Sequence, residues 1–108
     1  MTDGKKNALL VLTTVAGERQ AEEMAEVLVA EGLAACVSYG PVSSVYKWQG
    51  RLEKQKEQQL LIKTLAERWR ALCARVAELS AYETPELVAV EPFRVEKRYL
   101  DWIAAQAP

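Results

Sequence analysis

The apolar positions of the chain follow two different periods, and they change from one to the other along the sequence. Residues 8–15 are almost continuously apolar and rich in β-branched side chains, which predicts a strand covered on both faces. Residues 18–31 instead place apolar side chains at helical spacing, and Gly32 is a typical C-terminal stop. The chain therefore begins with a predicted strand followed by an amphipathic helix.

The next segment predicts a long hairpin. Residues 33–39 form an extended run, Gly40-Pro41 favours a bend or bulge, and residues 42–48 resume the strand up to a turn signal at Gln49-Gly50. The polar residues 53–59 show no clear apolar period, and helix propensity alone would allow a helix there. We interpret them as a solvated arm of the hairpin.

The second half of the chain repeats the order of elements. Residues 60–62 are an apolar run that predicts a strand, and Thr64 and Glu67 have the spacing of a capping box before a second helix. Its apolar stripe includes Trp69 and Cys73, which we expect to pack in the core.

A short strand and a last helix complete the pattern. Residues 87–90 predict the strand, which Pro92 ends or confines to a sheet edge. The apolar spacing that follows predicts a C-terminal helix with Trp102 in the core. Two strand–helix–strand units followed by a helix predict an α+β, ferredoxin-like split βαβ-βαβ sandwich with a long β-hairpin and an extra C-terminal helix.

The same pattern predicts a single domain that follows a short tail. Residues 1–7 are polar and predict a disordered N-terminal tail, and residues 8–108 have the length of a single domain.

Tyr46 and Trp48 lie on a hairpin that reaches beyond the βαβ core. Exposed aromatic side chains on such an arm favour burial by neighbouring subunits in a closed ring.

Composition excludes several classes of function. Lys and Arg number 14 against 15 Asp and Glu, so the chain has neither the basic footprint of a nucleic-acid binder nor a charge that attracts anionic membranes. The chain contains no histidine. This removes the commonest general base and the commonest zinc and copper ligand, so a metal site must use Cys, Asp, Glu, Met or backbone oxygens.

The cysteines and the N-terminal residues indicate in which cellular compartment the protein is expected. Cys36 and Cys73 form neither a CxxC pair nor a disulfide framework, so we expect reduced thiols and a cytoplasmic protein. Lys5 and Lys6 precede a short apolar run, as in a signal peptide. That run ends at Thr13 and Thr14, and cleavage there would remove the first predicted strand.

Five short blocks together resemble the divalent-cation-tolerance protein CutA family. They fall in the family's order and span roughly residues 8 to 104. The blocks are Leu33-Ala34-Ala35-Cys36-Val37, Ser43-Ser44-Val45-Tyr46-Lys47-Trp48-Gln49-Gly50, Leu61-Ile62-Lys63-Thr64, Tyr82-Glu83-Thr84-Pro85-Glu86 and Tyr99-Leu100-Asp101-Trp102.

The resemblance implies a ferredoxin-like protomer in a tight homotrimer, with a cleft between subunits and no catalysis. It also implies a role in the tolerance of divalent metal ions, notably copper. The family is similar to trimeric PII-type signalling proteins, which implies a small-ligand sensor as an alternative, and a purely structural trimer is a further one.

The chain departs from the family pattern at the positions of soft metal ligands. Members commonly have a histidine-containing stretch before the Tyr-x-x-Pro-Glu run, where this chain has Ser80 and Ala81. Some bacterial members have a cysteine where this chain has Thr13 or Thr14. We therefore expect no required cofactor, and at most weak binding of copper, zinc or cadmium.

The candidate residues each have a structural alternative. Lys63, Tyr82 and Glu86 are candidates for the cleft, where Lys63 could meet a small anionic ligand; a solvated lysine, a packed ring and a backbone cap are the alternatives. Cys36 and Glu86 are the candidates for metal ligands, although for Cys36 we favour the interpretation as a small buried strand residue.

Two further interpretations concern the aromatic arm and catalysis. Tyr46 and Trp48 could stack on a ligand, but aromatic residues anchor interfaces, and we assign them to the trimer interface. Acylphosphatases share the ferredoxin-like fold, and Arg19 lies in the first loop. The Gly-rich phosphate cradle is missing and Asn7, the single asparagine, lies in the tail, so this enzymatic alternative has little support.

Overall fold

The computed structural model describes residues 7–108. Over this range the elements are β1 (Ala8–Val15), α1 (Glu18–Ala30), β2 (Cys36–Trp48), β3 (Arg51–Leu65), a 3₁₀ turn (Ala66–Arg68), α2 (Trp69–Leu79), β4 (Val88–Val90) and α3 (Lys97–Gln106). The predicted tail, residues 1–7, falls outside the described residues except for Asn7, whose carbonyl accepts a hydrogen bond from the Ala66 amide.

The four strands form one antiparallel sheet in the order β2-β3-β1-β4. This is the strand order of a split βαβ unit, which confirms the predicted ferredoxin-like α+β fold. Side chains of β1 alternate between the faces of the sheet. Leu9, Val11 and Val15 are buried in the core with apolar side chains of α1 and α2, whereas Leu10 and Leu12 on the other face are half-buried.

The hairpin of β2 and β3 is longer and more regular than the sequence predicts. Its pairing runs through thirteen residue pairs, from Cys36 opposite Lys63 to Trp48 opposite Arg51. The predicted bend or bulge at Gly40-Pro41 is wrong, because β2 is an edge strand of this sheet, where a residue without an N–H is tolerated. The two-residue turn has positive φ at Gln49 (52°) and Gly50 (78°), as a type I′ turn requires.

The polar segment of residues 53–59 belongs to β3, which confirms the hairpin arm and excludes the helical alternative. Cross-strand pairing along its whole length overrides the helix propensity of its lysines, glutamates and glutamines. The arm extends past the end of β1, where Val15 pairs with Gln58. Seven pairs of the hairpin, from Val42 opposite Glu57 onward, therefore project beyond the rest of the sheet.

Thr64 does not cap a helix, so the predicted capping box is wrong. It is fully buried within β3, and its Oγ1 donates a hydrogen bond of 2.7 Å to the carbonyl of Leu33. The hydroxyl thereby ties the end of β3 to the turn between α1 and β2. The second helix instead begins through the 3₁₀ turn, and β2 begins at Cys36 rather than at Leu33.

The helix α3 covers one end of the sheet face opposite α1 and α2. Its Ile103 packs with Ala8, Ala35 and Leu65 in a second apolar cluster. The expected core position of Trp102 is wrong: the side chain is 42% exposed and its ring stacks on Tyr99, with centroids 5.6 Å apart. Trp69 packs against the main core, as predicted.

The rest of that sheet face is left open within the protomer. It carries an apolar strip in which Leu10, Leu12 and Leu61 are half-buried, and Val88 and Val90 of β4 are 48% and 45% exposed. None of the helices within residues 7–108 has both the length and the apolar character needed to cross a bilayer.

Replacing Thr64 with valine keeps the shape of the side chain but removes the donor to the Leu33 carbonyl. A buried acceptor left without its partner costs about 1–3 kcal/mol. We expect the free energy of unfolding, measured by urea denaturation, to fall by about that amount in T64V.

Thr13 provides the matched control for this prediction. It is also fully buried on the helix-covered face, but its Oγ1 has no hydrogen-bond partner within the described part of the chain. T13V should leave stability unchanged or raise it by about 1 kcal/mol, because it removes an unsatisfied buried hydroxyl. Equal losses in T13V and T64V would contradict the role given to the Thr64 hydrogen bond.

Candidate functional site

A groove of about 820 Å³ lies between the projecting hairpin and the loop that joins α2 to β4. Its size is that of a small-molecule site. The lining residues come from β1, from both arms of the hairpin and from that loop: Thr14, Ser44, Val45, Tyr46, Trp48, Glu53, Gln55, Glu57, Ala81, Tyr82, Glu83, Thr84, Pro85 and Glu86.

The alternation of side chains along the hairpin separates its charges. Glu53 and Glu57 lie on the side of β3 that lines the groove. Lys54 and Lys56, which lie between them in the sequence, have the opposite parity and belong to the other side of the strand. Lys47 of β2 has the parity that places it with these lysines. Except for Arg51 beside the turn, which shares the parity of the glutamates, the hairpin therefore presents an acidic and aromatic side to the groove and a basic side to the face of the sheet that the helices α1 and α2 cover.

A buried carboxylate lies within the groove. Glu57 is only 8% exposed, and its Oε2 accepts a hydrogen bond of 2.7 Å from the hydroxyl of Tyr82. Burial, and then the bond to Glu57, raise the pKa of Tyr82 well above its usual value, so the phenol keeps its proton. No ion pair joins Glu57 to a cation of residues 7–108.

The loop holds Tyr82 in place by a local contact. The Tyr82 amide donates a hydrogen bond of 3.0 Å to Oγ of Ser80, the position where the family resemblance implies a histidine-containing stretch. Ser80 therefore serves here as a turn-forming residue. The aromatic ring then reaches back across the groove to β3.

The structure brings four of the predicted site residues together and separates two others from them. Tyr46, Trp48, Tyr82 and Glu86 all line the groove. Cys36 and Lys63 do not: they pair with each other where β2 begins.

Cys36 precedes the groove residue Ser44 by eight positions, about 26 Å along an extended strand. Cys36 is half-buried, and the Nζ of Lys63 lies 5.8 Å from the ring centroid of Tyr99 on α3. Within one protomer, therefore, Cys36 and the groove carboxylates belong to different parts of the sheet.

The sequence reasoning missed the carboxylates of β3 and of the loop. Glu53, Glu57 and Glu83 line the groove, yet residues 53–59 showed no apolar period. The charges of this segment contain the signal that was missed. The acidic residues stand at positions 53 and 57 and the basic residues at positions 54 and 56, which is the period-2 pattern of a strand with one acidic and one basic side.

The carboxylates do not converge on one point. No group of three or more His, Cys, Asp or Glu side chains within residues 7–108 has the geometry to hold a metal ion. The groove instead distributes four acidic side chains along its length beside three aromatic rings, those of Tyr46, Trp48 and Tyr82. Such an arrangement can bind a cation through oxygen ligands and ring faces, but it provides no closed coordination shell.

Comparisons with known proteins agree with one another. The model of the CutA1 divalent ion tolerance protein family matches residues 9–106. The divalent-cation tolerance protein CutA of Thermus thermophilus is 41% identical over 95 residues, which cover 87% of this chain and 92% of that protein.

Solved structures show the same relationship. CutA from Xylella fastidiosa matches with a TM-score of 0.92 and 39% identity, and the periplasmic divalent cation tolerance protein CutA from Archaeoglobus fulgidus with 0.92 and 30%. Each match covers 94% of this chain and 99% of the other. With the family model and these relatives extending over nearly all of its length, the chain belongs to the CutA1 divalent ion tolerance protein family.

Proposed function

We propose that the chain acts as a non-catalytic homotrimer in the tolerance of divalent metal ions such as copper, and that the groove at the hairpin is its ligand-binding cleft. The names of the matched relatives support the link to divalent cations. The observation that carries the site is the groove itself, in which Glu57 is buried beside Tyr82 without a cationic partner among the described residues.

Self-association is supported by the apolar surface that the protomer leaves uncovered. Tyr46 and Trp48 are 37% and 44% exposed, and the strip formed by Leu10, Leu12, Leu61, Val88 and Val90 lies on the same face of the sheet. An exposed edge strand with such a face is a liability in a monomer. Three copies in a closed ring would bury it and would border each groove with a neighbouring subunit.

Metal binding in this cleft would rest on carboxylate oxygens. Glu86 and Glu57 line the groove, so they are the first candidates, and Cys36 would need to reach an ion from a different region of the assembly. Oxygen ligands suit hard cations better than copper or cadmium. We therefore propose weak binding of copper, zinc or cadmium, with no cofactor required for folding.

The alternatives receive less support from the geometry. A small anionic ligand would meet no Lys or Arg among the described residues of the lining, since Lys63 lies outside the groove. For the acylphosphatase-like alternative, Arg19 belongs to α1 and its side chain is 90% exposed. Its Nε lies 3.6 Å from Oε2 of Glu23 rather than in an anion cradle.

A cytoplasmic location is part of the proposal and is supported by two free cysteines.

The trimer is tested by light scattering at micromolar concentration. We expect a mass of three times 12.1 kDa for the native chain, and partial dissociation in W48A, because the ring fills the interface between copies. V29A is the control, since Val29 is similarly exposed (43%) but lies on α1, on the other side of the sheet. A native chain that is monomeric, or a W48A variant as stable a trimer as V29A, would contradict the interface.

Metal binding is tested by calorimetry with copper, zinc and cadmium. We expect binding to saturate at one ion per chain, and E57Q and E86Q each to weaken it by about tenfold, the equivalent of 1.4 kcal/mol. E26Q removes a charge from the exposed face of α1 and should have no effect. Absence of heat for all three metals would favour a purely structural trimer. Metal binding with equal affinities in E86Q and E26Q would instead contradict the assignment of Glu86 as a ligand.

A further inference from the structure

We propose that the groove binds an elongated organic cation of the polyamine class. This inference goes beyond the proposed role in metal tolerance and uses different properties of the same groove. It rests on three features: a buried carboxylate with no charge partner in the described part of the chain, aromatic rings beside the carboxylates, and the spacing of the acidic groups.

The first feature is the charge balance of the lining. Four glutamates line the groove, and no lysine or arginine of residues 7–108 does. Glu57 is more than nine-tenths buried, and its hydrogen-bond donor, the hydroxyl of Tyr82, is neutral. A buried carboxylate with no cation is costly, because hydrogen bonding to a neutral group offsets only part of its lost hydration. A bound cation would supply the missing charge.

The second feature is the aromatic surface next to those carboxylates. Tyr46 lies directly opposite Glu53 in the hairpin register, at the distance of a cross-strand pair, and Trp48 follows on the same side. Alkylammonium groups bind the faces of such rings through cation–π attraction, and their methylene groups pack against the rings. A hydrated metal ion gains little from this surface.

The third feature is the distribution of charge along the groove. Glu53 and Glu57 lie four positions apart on one side of β3, about 13 Å along the strand. Acidic side chains within residues 7–108 do not gather into a metal cluster. Charges arranged at intervals match a ligand whose ammonium groups are separated by methylene chains. Arg51, opposite Trp48 at the tip, lies outside the lining.

The test uses spermidine as the probe and calorimetry of the full chain as the measurement. We expect binding that saturates at one spermidine per chain. The double variant E53Q/E57Q should weaken it by at least about thirtyfold, the equivalent of about 2 kcal/mol, since it removes two charged contacts. E26Q, with one charge removed outside the groove, should bind as the native chain does.

The variants also test the folding and assembly on which the proposal depends. A glutamine at position 57 retains an oxygen for the Tyr82 hydroxyl, so circular dichroism and light scattering of E53Q/E57Q should match the native chain. Loss of the oligomer in this variant would assign the carboxylates to a contact with a second copy and overturn the proposal. Equal binding by E53Q/E57Q and E26Q, or displacement of spermidine by equimolar magnesium, would overturn it as well.

The metal titrations separate this inference from the proposed function. Binding of zinc, copper or cadmium without binding of spermidine would overturn the polyamine site and leave the metal role intact. Binding of spermidine without any metal would support the polyamine site and overturn the metal cleft.

Discussion

The unbroken register between β2 and β3 is the constraint on which the groove depends. Side chains alternate strictly along both strands, so the register decides which charges face the groove. A slip of one residue in β3 would turn Lys54 and Lys56 to the side of the hairpin that now carries Glu53 and Glu57. The type I′ turn at Gln49-Gly50 fixes this register from one end. The core packing of Leu60 and Ile62 fixes it from the other.

The same hairpin makes the protomer incomplete. Its outer seven pairs have no third strand beside them within the described residues, and a lone two-stranded ribbon is marginally stable in water. Neighbouring subunits would provide both the missing strands and the cover for the open apolar face. In the proposed trimer, folding, assembly and the formation of the cleft would then be one process, because the arm that would anchor the trimer would also form a wall of the proposed ligand site.

The sequence was sufficient for the elements whose pattern is apolar and periodic, such as β1 and α1. It failed where tertiary contacts decide the outcome. Thr64 has the spacing of a helix cap, yet the carbonyl of Leu33, thirty-one positions away in the chain, takes its hydroxyl. The pairing of Tyr82 with Glu57 was equally hidden, because two separate segments must fold before a hydroxyl and a carboxylate meet. Tyr82 and Glu86, which line the groove, were predicted as cleft candidates through the family resemblance.

Hydrogen–deuterium exchange of the backbone amides in residues 42–57 tests most directly whether the two arms of the hairpin are paired along their whole length. If the arms are paired as described and covered by neighbouring copies, these amides should exchange far more slowly than in an unstructured chain, with protection extending to the residues beside the turn. Exchange of this segment at the rate of an unfolded peptide, while the core around Leu60 remains protected, would contradict the account.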